Sequence, residues 1–120
     1  MKKLLGVLIL TMMFCTAAFA YWKNDFDTPI NVCASHILVK SEEQALKIKS
    51  EINSYDDFRE FAKMYSECPS GKDGGYLGCF GRKQMVREFE KAAFDANIGE
   101  VTGPVKTQFG YHLIWVTRKY

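Results

Sequence analysis

The sequence predicts an α+β domain in which helices pack on one small β-sheet. Its 120 residues fall within the usual size of a single domain, and an apolar share of 48% is typical of a globular core. The predicted elements follow the order strand, two helices, short strand, helix and two strands. Apolar residues of the last strand fall on both of its faces, so we expect both faces of the sheet to be covered.

The N-terminus differs from the rest of the chain. Lys2 and Lys3 precede an apolar run over 4–14, and Ala-Phe-Ala at 18–20 has the small-x-small pattern of a cleavage site. We therefore predict a signal peptide over residues 1–20, with export across the inner membrane into a bacterial periplasm. The alternative is a retained membrane anchor, but the run is shorter than the ~20 residues that span a bilayer. No membrane association is expected after cleavage.

The charge of the predicted mature chain argues against nucleic-acid binding. Cleavage would remove two of the 16 basic residues and none of the 14 acidic residues, which leaves a formally neutral protein. No block of like charge remains to follow a phosphate backbone.

Three cysteines would remain after cleavage, namely Cys33, Cys68 and Cys79. Their number is odd in a compartment that favours disulfides, so at least one thiol is expected to be free or paired outside the chain. No Cys-x-x-Cys occurs, and His36 and His112 lie far apart without accompanying ligand pairs. We therefore expect no metal site.

The first part of the predicted mature chain is a leader followed by a strand. Residues 21–33 mix aromatic and polar side chains without a sustained period and are interpreted as a poorly ordered leader or linker. The domain itself is predicted over 34–120. Its first strand covers 34–40, where β-branched and apolar residues predominate, and it carries His36.

Two helices follow this strand. Ser41 and Gln44 form a capping box that begins the first helix, which is expected to end near Ile52. The second helix follows Ser54. Its apolar residues repeat at i, i+3, i+4 and i+7, as Phe58, Phe61, Ala62 and Tyr65.

The second half of the chain begins with a Gly- and Pro-rich loop over 66–75, which ends the helix. No Gly-Lys-Ser/Thr follows its glycines, so we interpret them as turn residues rather than a phosphate-binding loop. A short strand is predicted over 76–80, a helix over 85–96, and two closing strands over 101–106 and 111–119.

A series of short motifs runs through this domain. They are Ser-His-Ile-Leu-Val-Lys at 35–40, Cys-Pro-Ser-Gly at 68–71, Gly-Gly at 74–75, Leu-Gly at 77–78 with Phe80, Gln-Met at 84–85 with Phe89 and Phe94, Gly-Pro-Val at 103–105, and Thr-Gln-Phe-Gly-Tyr-His at 107–112. Together, over residues 34–118, they resemble the parvulin family of peptidyl-prolyl cis/trans isomerases.

The resemblance implies a fold, an activity and a set of site residues. The implied fold is a four-stranded antiparallel sheet with four helices, the fourth being a short turn near Cys68. The apolar pocket for the substrate proline would be formed by Leu77, Met85, Phe89 and Phe109. The polar cluster under the rotating bond would be formed by His36, Cys68, Thr107 and His112, with the two histidines facing each other from adjacent central strands. Ordinary core packing is the alternative for both sets.

The implied activity needs no cofactor. Rotation about an X-Pro bond meets a barrier of roughly 18–20 kcal/mol because amide resonance is lost. An apolar pocket removes water from a carbonyl whose charge separation falls during rotation, and so favours the twisted state. Cys68 with two imidazoles also suggests a nucleophile and a base, but the non-covalent interpretation is preferred here.

The expected substrates are unfolded, proline-containing polypeptides, bound by a monomer. Lys40 and Glu42 are separated by one residue, so the basic insertion of phosphorylation-directed parvulins is missing. One alternative function is a parvulin-fold chaperone module with little isomerase activity. Another is a Cys-His hydrolase, for which we find no oxyanion arrangement or group that orients the base.

Three residues depart from the pattern of the family. Tyr76 stands where many parvulins carry Asp, Arg87 where some carry Pro, and Cys79 where a cysteine is unusual. The last departure suggests, as a hypothesis, a Cys68–Cys79 disulfide that would withdraw the thiol from the polar cluster.

Overall fold

The computed structural model describes residues 29–120, and the predicted signal peptide with most of the predicted leader lies outside them. Among the described residues, no helix is long and apolar enough to cross a membrane. The elements, in chain order, are β1 (Asn31–Val39), α1 (Glu42–Glu51), α2 (Tyr55–Tyr65), a 3-10 helix (Pro69–Asp73), β2 (Tyr76–Gly81), α3 (Arg87–Asp95), β3 (Val101–Thr107) and β4 (Gly110–Lys119).

The four strands form one antiparallel sheet in the order β2-β1-β4-β3. β1 and β4 are therefore the central strands, and their register places His36 opposite Ile114 and Leu38 opposite His112. The predicted α+β class is confirmed, including a four-stranded antiparallel sheet surrounded by helices.

The first strand begins earlier than predicted, at Asn31 rather than Ala34. Its early residues are held by the end of the chain, because the backbone N–H groups of Ile30 and Asn31 both donate to the carbonyl of Tyr120. Residues 31–33 of the predicted leader thus belong to the sheet. Local pattern did not predict this earlier start, because Asn31 is polar and its partners, Gly81 and Tyr120, are distant in sequence.

The sheet is covered on both faces, as its last strand predicted. On one face α3 packs against the strands, and the buried residues are Val32, Ala34, Phe80, Phe89, Ala93, Phe94, Ala96, Ile114 and Val116. On the other face α1 and α2 pack against the strands, and the buried residues are Ile37, Val39, Ala45, Ile48, Phe58, Ala62 and Leu113. The two histidines face the α3 side, where the ring of Phe89 meets both of them.

Helix starts agree with the polar caps where the sequence contains one. The Ser41 hydroxyl accepts from the backbone N–H of Gln44 at 3.1 Å, and α1 ends beside Ile52 as predicted. α3 differs, because it begins at Arg87 and its N-cap residue, Val86, makes no side-chain capping bond. The apolar spacing predicted Met85 in the first turn of this helix, but Met85 precedes the helix.

Candidate functional site

Two buried histidines form the centre of the site. His36 lies on β1 and His112 on β4, and their Nδ1 atoms are 3.0 Å apart. Their ring planes are nearly parallel, with an interplanar angle of 18° and centroids 5.2 Å apart. The Nε2 atom of His112 lies 2.7 Å from the hydroxyl of Thr107, and that of His36 lies 3.1 Å from the hydroxyl of Ser70. A continuous hydrogen-bonded chain thus runs Thr107–His112–His36–Ser70.

Both imidazoles are held in the neutral form. Burial, and to a lesser extent the neighbouring His112 when it is charged, lower the pKa of His36 to about 4. Burial also lowers the pKa of His112. Only one proton fits between the two Nδ1 atoms, and hydroxyl groups at both ends can donate or accept. The chain can therefore satisfy every ring nitrogen without a formal charge.

Two glycines allow neighbouring backbone to approach the histidines. The N–H of His36 donates to the carbonyl of Gly75 at 2.9 Å, and a Cβ at Gly75 would collide with the His36 carbonyl oxygen. A Cβ at Gly103 would come within 2.5 Å of the His112 carbonyl oxygen. Both glycines have positive φ, +84° and +116° respectively, which other residues rarely adopt.

An apolar cavity of about 350 Å³ opens beside the histidines. This volume lies at the small end of the range for ligand pockets. Its lining residues are His36, Leu38, Glu67, Cys68, Pro69, Leu77, Met85, Val86, Phe89, Phe109 and His112. Phe89 is buried and its ring is nearly perpendicular to both imidazoles, with centroids 5.6 and 5.3 Å away. Phe109 is 51% exposed.

The cavity brings together seven of the eight site residues that the sequence predicted. All four apolar residues line it, as do His36, Cys68 and His112. Thr107 does not line the cavity and is connected to it through the bonds of its hydroxyl to His112 and to the backbone N–H of Phe109. The thiol of Cys68 lies outside the hydrogen-bonded chain, so the polar cluster is less unified than predicted.

The predicted Cys68–Cys79 disulfide is wrong, because Cys79 pairs with Cys33. These two residues are direct cross-strand neighbours on β2 and β1. Cys68 is a free, half-buried thiol at the cavity. The hypothesis rested on Cys79 as a departure from the family, whereas the register between β1 and β2 determines its partner.

Ser70 is the functional candidate that sequence reasoning missed. It belongs to the Cys-Pro-Ser-Gly motif, but nothing in its spacing indicated a bond to a histidine 34 residues away. Leu38 was also missed, although strand alternation could have found it, because it lies two residues from His36 and faces the same side. Glu67, Pro69 and Val86 gave no comparable signal.

The sequence matches the family described as Rotamase, PPIC-type PPIase domain, over residues 35–118. Among curated proteins, it is 52% identical over 87 residues to the foldase protein PrsA of Geobacillus kaustophilus, covering 72% of this chain and 31% of the relative. The PrsA of Geobacillus sp. strain WCH70 is 52% identical over 100 residues, covering 82% of this chain and 35% of the relative. The chain thus spans about a third of the length of these relatives.

Solved structures resemble the chain in fold. PrsA from Bacillus cereus superposes with a TM-score of 0.72 at 47% identity, covering 78% of this chain and 36% of the other. One of two SurA-like chaperones of Campylobacter jejuni gives 0.72 at 36% identity, covering 88% and 46%. Pin from the archaeon Cenarcheaum symbiosum gives 0.65 at 41% identity, covering 79% and 97%. The sheet and helices described above therefore recur in proteins of known structure.

Proposed function

The chain belongs to the rotamase family of PPIC-type peptidyl-prolyl isomerase domains, and from this premise we propose that it accelerates cis/trans rotation of X-Pro bonds in unfolded polypeptides. One observation carries the proposal: an apolar cavity lined by Met85, Phe89 and Phe109 opens directly beside the buried histidine pair. A proline ring fits the chemistry of such a cavity, and the adjoining peptide bond would then lie near the polar groups.

The cavity can lower the barrier by desolvation. A planar X-Pro amide is more polar than its twisted form, because rotation removes the resonance that charges the carbonyl oxygen. Apolar walls and neutral imidazoles solvate that carbonyl less well than water does. The planar form therefore loses more solvation free energy in the cavity than the twisted form does. A thousandfold acceleration requires about 4 kcal/mol of this difference.

We assign the predicted roles on this basis. Leu77, Met85, Phe89 and Phe109 hold the proline ring. His36, Thr107 and His112, together with Ser70, keep a rigid neutral floor under the rotating bond, and Cys68 lies beside the substrate carbonyl.

The hydrogen bonds of the histidines favour a non-covalent mechanism. Both nitrogens of His36 are engaged, by His112 and Ser70, and both nitrogens of His112 are engaged, by His36 and Thr107. Neither imidazole has a free nitrogen with which to deprotonate the thiol of Cys68. A thiol without a base is a poor nucleophile at neutral pH.

The proposed setting is the bacterial periplasm. Residues 1–20 are the proposed signal peptide, and the domain proper follows the leader, from the start of β1 at Asn31. The relatives named PrsA are foldases, and one of the two SurA-like chaperones is named a periplasmic protein. The proposed partners are unfolded, proline-containing chains, bound by a monomer without nucleic acid or cofactor.

A chaperone module with little isomerase activity is the second candidate. The names of the foldase and SurA-like relatives favour it, and so does Phe109, whose half-exposed ring offers an apolar surface to an unfolded chain. The cavity would then bind proline-containing segments without accelerating rotation.

The deciding experiment measures cis/trans rates of short X-Pro peptides with the exported domain, under reducing and oxidising conditions. Met85→Ala and Phe109→Ala alter partly exposed cavity residues, and Phe61→Ala is a matched control on the opposite face of the sheet. Acceleration that is lost in the first two variants and kept in the third supports the isomerase. No acceleration, with aggregation of an unfolded client still suppressed, supports the chaperone module.

A further inference from the structure

Glu67 is the one cavity-lining residue with a formal charge at neutral pH. The other lining residues are apolar, apart from a thiol and the two histidines. Burial keeps both histidines neutral, because it lowers the pKa of His36 and of His112. Any electrostatic preference among substrates at this cavity therefore depends first on Glu67.

The backbone of Glu67 is fixed beside the cavity, while its side chain is exposed. Its N–H donates to the carbonyl of Leu38 at 2.8 Å, and the N–H of Leu38 donates to the hydroxyl of Ser66 at 3.1 Å. These two bonds attach the loop to the end of β1. Within residues 29–120, the carboxylate of Glu67 makes no hydrogen bond and no ion pair. The ion pair in this part of the chain joins Lys63 and Glu60.

Lys40 is a candidate for a competing cation, because it lies two residues beyond Leu38 on the chain. Its Nζ atom donates to the carbonyl of Phe109 at 3.2 Å, and it does not line the cavity. Glu67 thus lines the cavity with an exposed side chain, and its carboxylate has no intramolecular partner among residues 29–120.

We propose that Glu67 is a specificity-determining residue that favours Lys or Arg immediately before the substrate proline. The inference rests on the proposed function, in which Cys68 lies beside the carbonyl of the residue that precedes proline. Glu67 adjoins Cys68 in sequence and lines the same cavity, so we place the side chain of that preceding residue near its carboxylate. A basic side chain is attracted there, and an acidic one is repelled.

The expected effect is modest because Glu67 is exposed. An exposed ion pair changes kcat/KM about threefold, and attraction of Lys combined with repulsion of Glu gives about a tenfold ratio at low ionic strength. Since such a pair is screened by salt, the ratio should approach one at 1 M salt, where the Debye length is about 3 Å.

The test uses peptides Ala-Xaa-Pro-Phe with blocked ends, where Xaa is Lys, Gln or Glu, and measures kcat/KM for each. With the wild-type domain, Lys should exceed Gln and Gln should exceed Glu. Glu67→Gln should bring the Lys-to-Glu ratio near one, and Glu67→Lys should invert it. Glu51→Lys makes the same charge change on α1, on the opposite face of the sheet, and should keep the wild-type ratio.

The outcomes separate this inference from the proposed function. If the wild-type domain accelerates all three peptides equally, the charge preference is wrong and the isomerase stands. If Glu is preferred, a cation outside the cavity lining outweighs Glu67 and the inference is also wrong. A Lys preference that persists in Glu67→Gln assigns the preference to another residue and refutes the role of Glu67. If no peptide is accelerated, the proposed function fails and this inference fails with it.

Discussion

The Nδ1 atoms of His36 and His112 lie 3.0 Å apart, and the remaining nitrogen of each ring bonds to a hydroxyl group. His36 lies on β1 and His112 on β4, so their hydrogen bond links the side chains of the two central strands beside the cavity. Protonation of either ring would place a charge in the core, and protonation of the ring that accepts at Nδ1 would also place a second proton between the two Nδ1 atoms. Burial therefore favours the state in which both rings are neutral.

The first prediction is that acid destabilises the domain through these rings. The pKa of His36 is lowered in the folded protein to about 4 from 6.5, so between these values the unfolded chain binds more protons. The stabilisation is complete above pH 6.5 and is lost as the pH falls toward 4. His36 should contribute a loss of about 2 kcal/mol between pH 7.5 and 5. The free energy of unfolding, measured with denaturant at several pH values, checks this.

Carboxylates titrate mainly below pH 5, so this window isolates the histidines. His112 acts in the same direction, because its pKa is also lowered by burial. A His36→Gln variant should lose less stability than the wild type over the same range. Stability that is constant or rises on acidification from pH 6.5 to 5 would contradict the assignment of neutral rings.

The second prediction concerns the disulfide between Cys33 and Cys79. It closes a loop over a sequence separation of 46 residues and joins the edge strand β2 to the central strand β1. Reduction should lower the free energy of unfolding by about 2–4 kcal/mol, because the unfolded chain regains the freedom of that loop. Denaturant unfolding with and without reductant measures the difference. Cys79→Ser should abolish the effect of reductant, whereas Cys68→Ser should leave it intact.

Much of the fold could be predicted from local patterns. The apolar spacing of Phe58 and Ala62 placed α2, and both are fully buried. The alternation along β4 predicted two covered faces, and Leu113 and Ile114 do belong to opposite core layers. Periodicity succeeds here because burial of a stripe or a face is decided within one element.

The remaining features depend on which residues meet across elements. Cys33 lies opposite Cys79 because of the register between β1 and β2, which no local pattern reports. Ser70 reaches His36 because the 3-10 helix Pro69–Asp73 brings its hydroxyl within 3.1 Å of the ring, although the two residues are 34 positions apart. Resemblance to a family, rather than spacing, indicated which apolar side chains would share a cavity with the histidines. The roles of those side chains stay predictions.

The third prediction is that Cys68 is not a nucleophile. Cys68→Ser should keep isomerase activity within about tenfold of the wild type, because neither histidine has a nitrogen free to act as its base. Loss of a true nucleophile costs far more, on the order of 10⁴-fold or greater. The measurement is kcat/KM for an X-Pro peptide, together with intact mass during turnover. A loss beyond a thousandfold, or a mass adduct on Cys68, would contradict the non-covalent mechanism.

The last prediction concerns Thr107, whose hydroxyl joins the histidine chain to the cavity mouth. It bonds to Nε2 of His112 at 2.7 Å and accepts from the backbone N–H of Phe109 at 3.2 Å. Thr107→Val keeps the shape of the side chain but leaves both partners without their bond. The expected cost is about 1–3 kcal/mol of stability, since an unsatisfied buried group loses its full hydration.

The same change should affect substrate binding more than turnover, because Phe109 would no longer be held over the cavity. We expect KM to rise more than kcat falls, and Thr107→Ser to restore both because it returns the hydroxyl. Thr102→Val, on the same strand, is the control for placing valine at a β3 position, and it should leave KM unchanged. If Thr107→Val matches the wild type in stability and KM, the hydroxyl neither supports His112 nor positions Phe109. Thr107 would then have no role in the hydrogen-bonded chain that contains the two histidines.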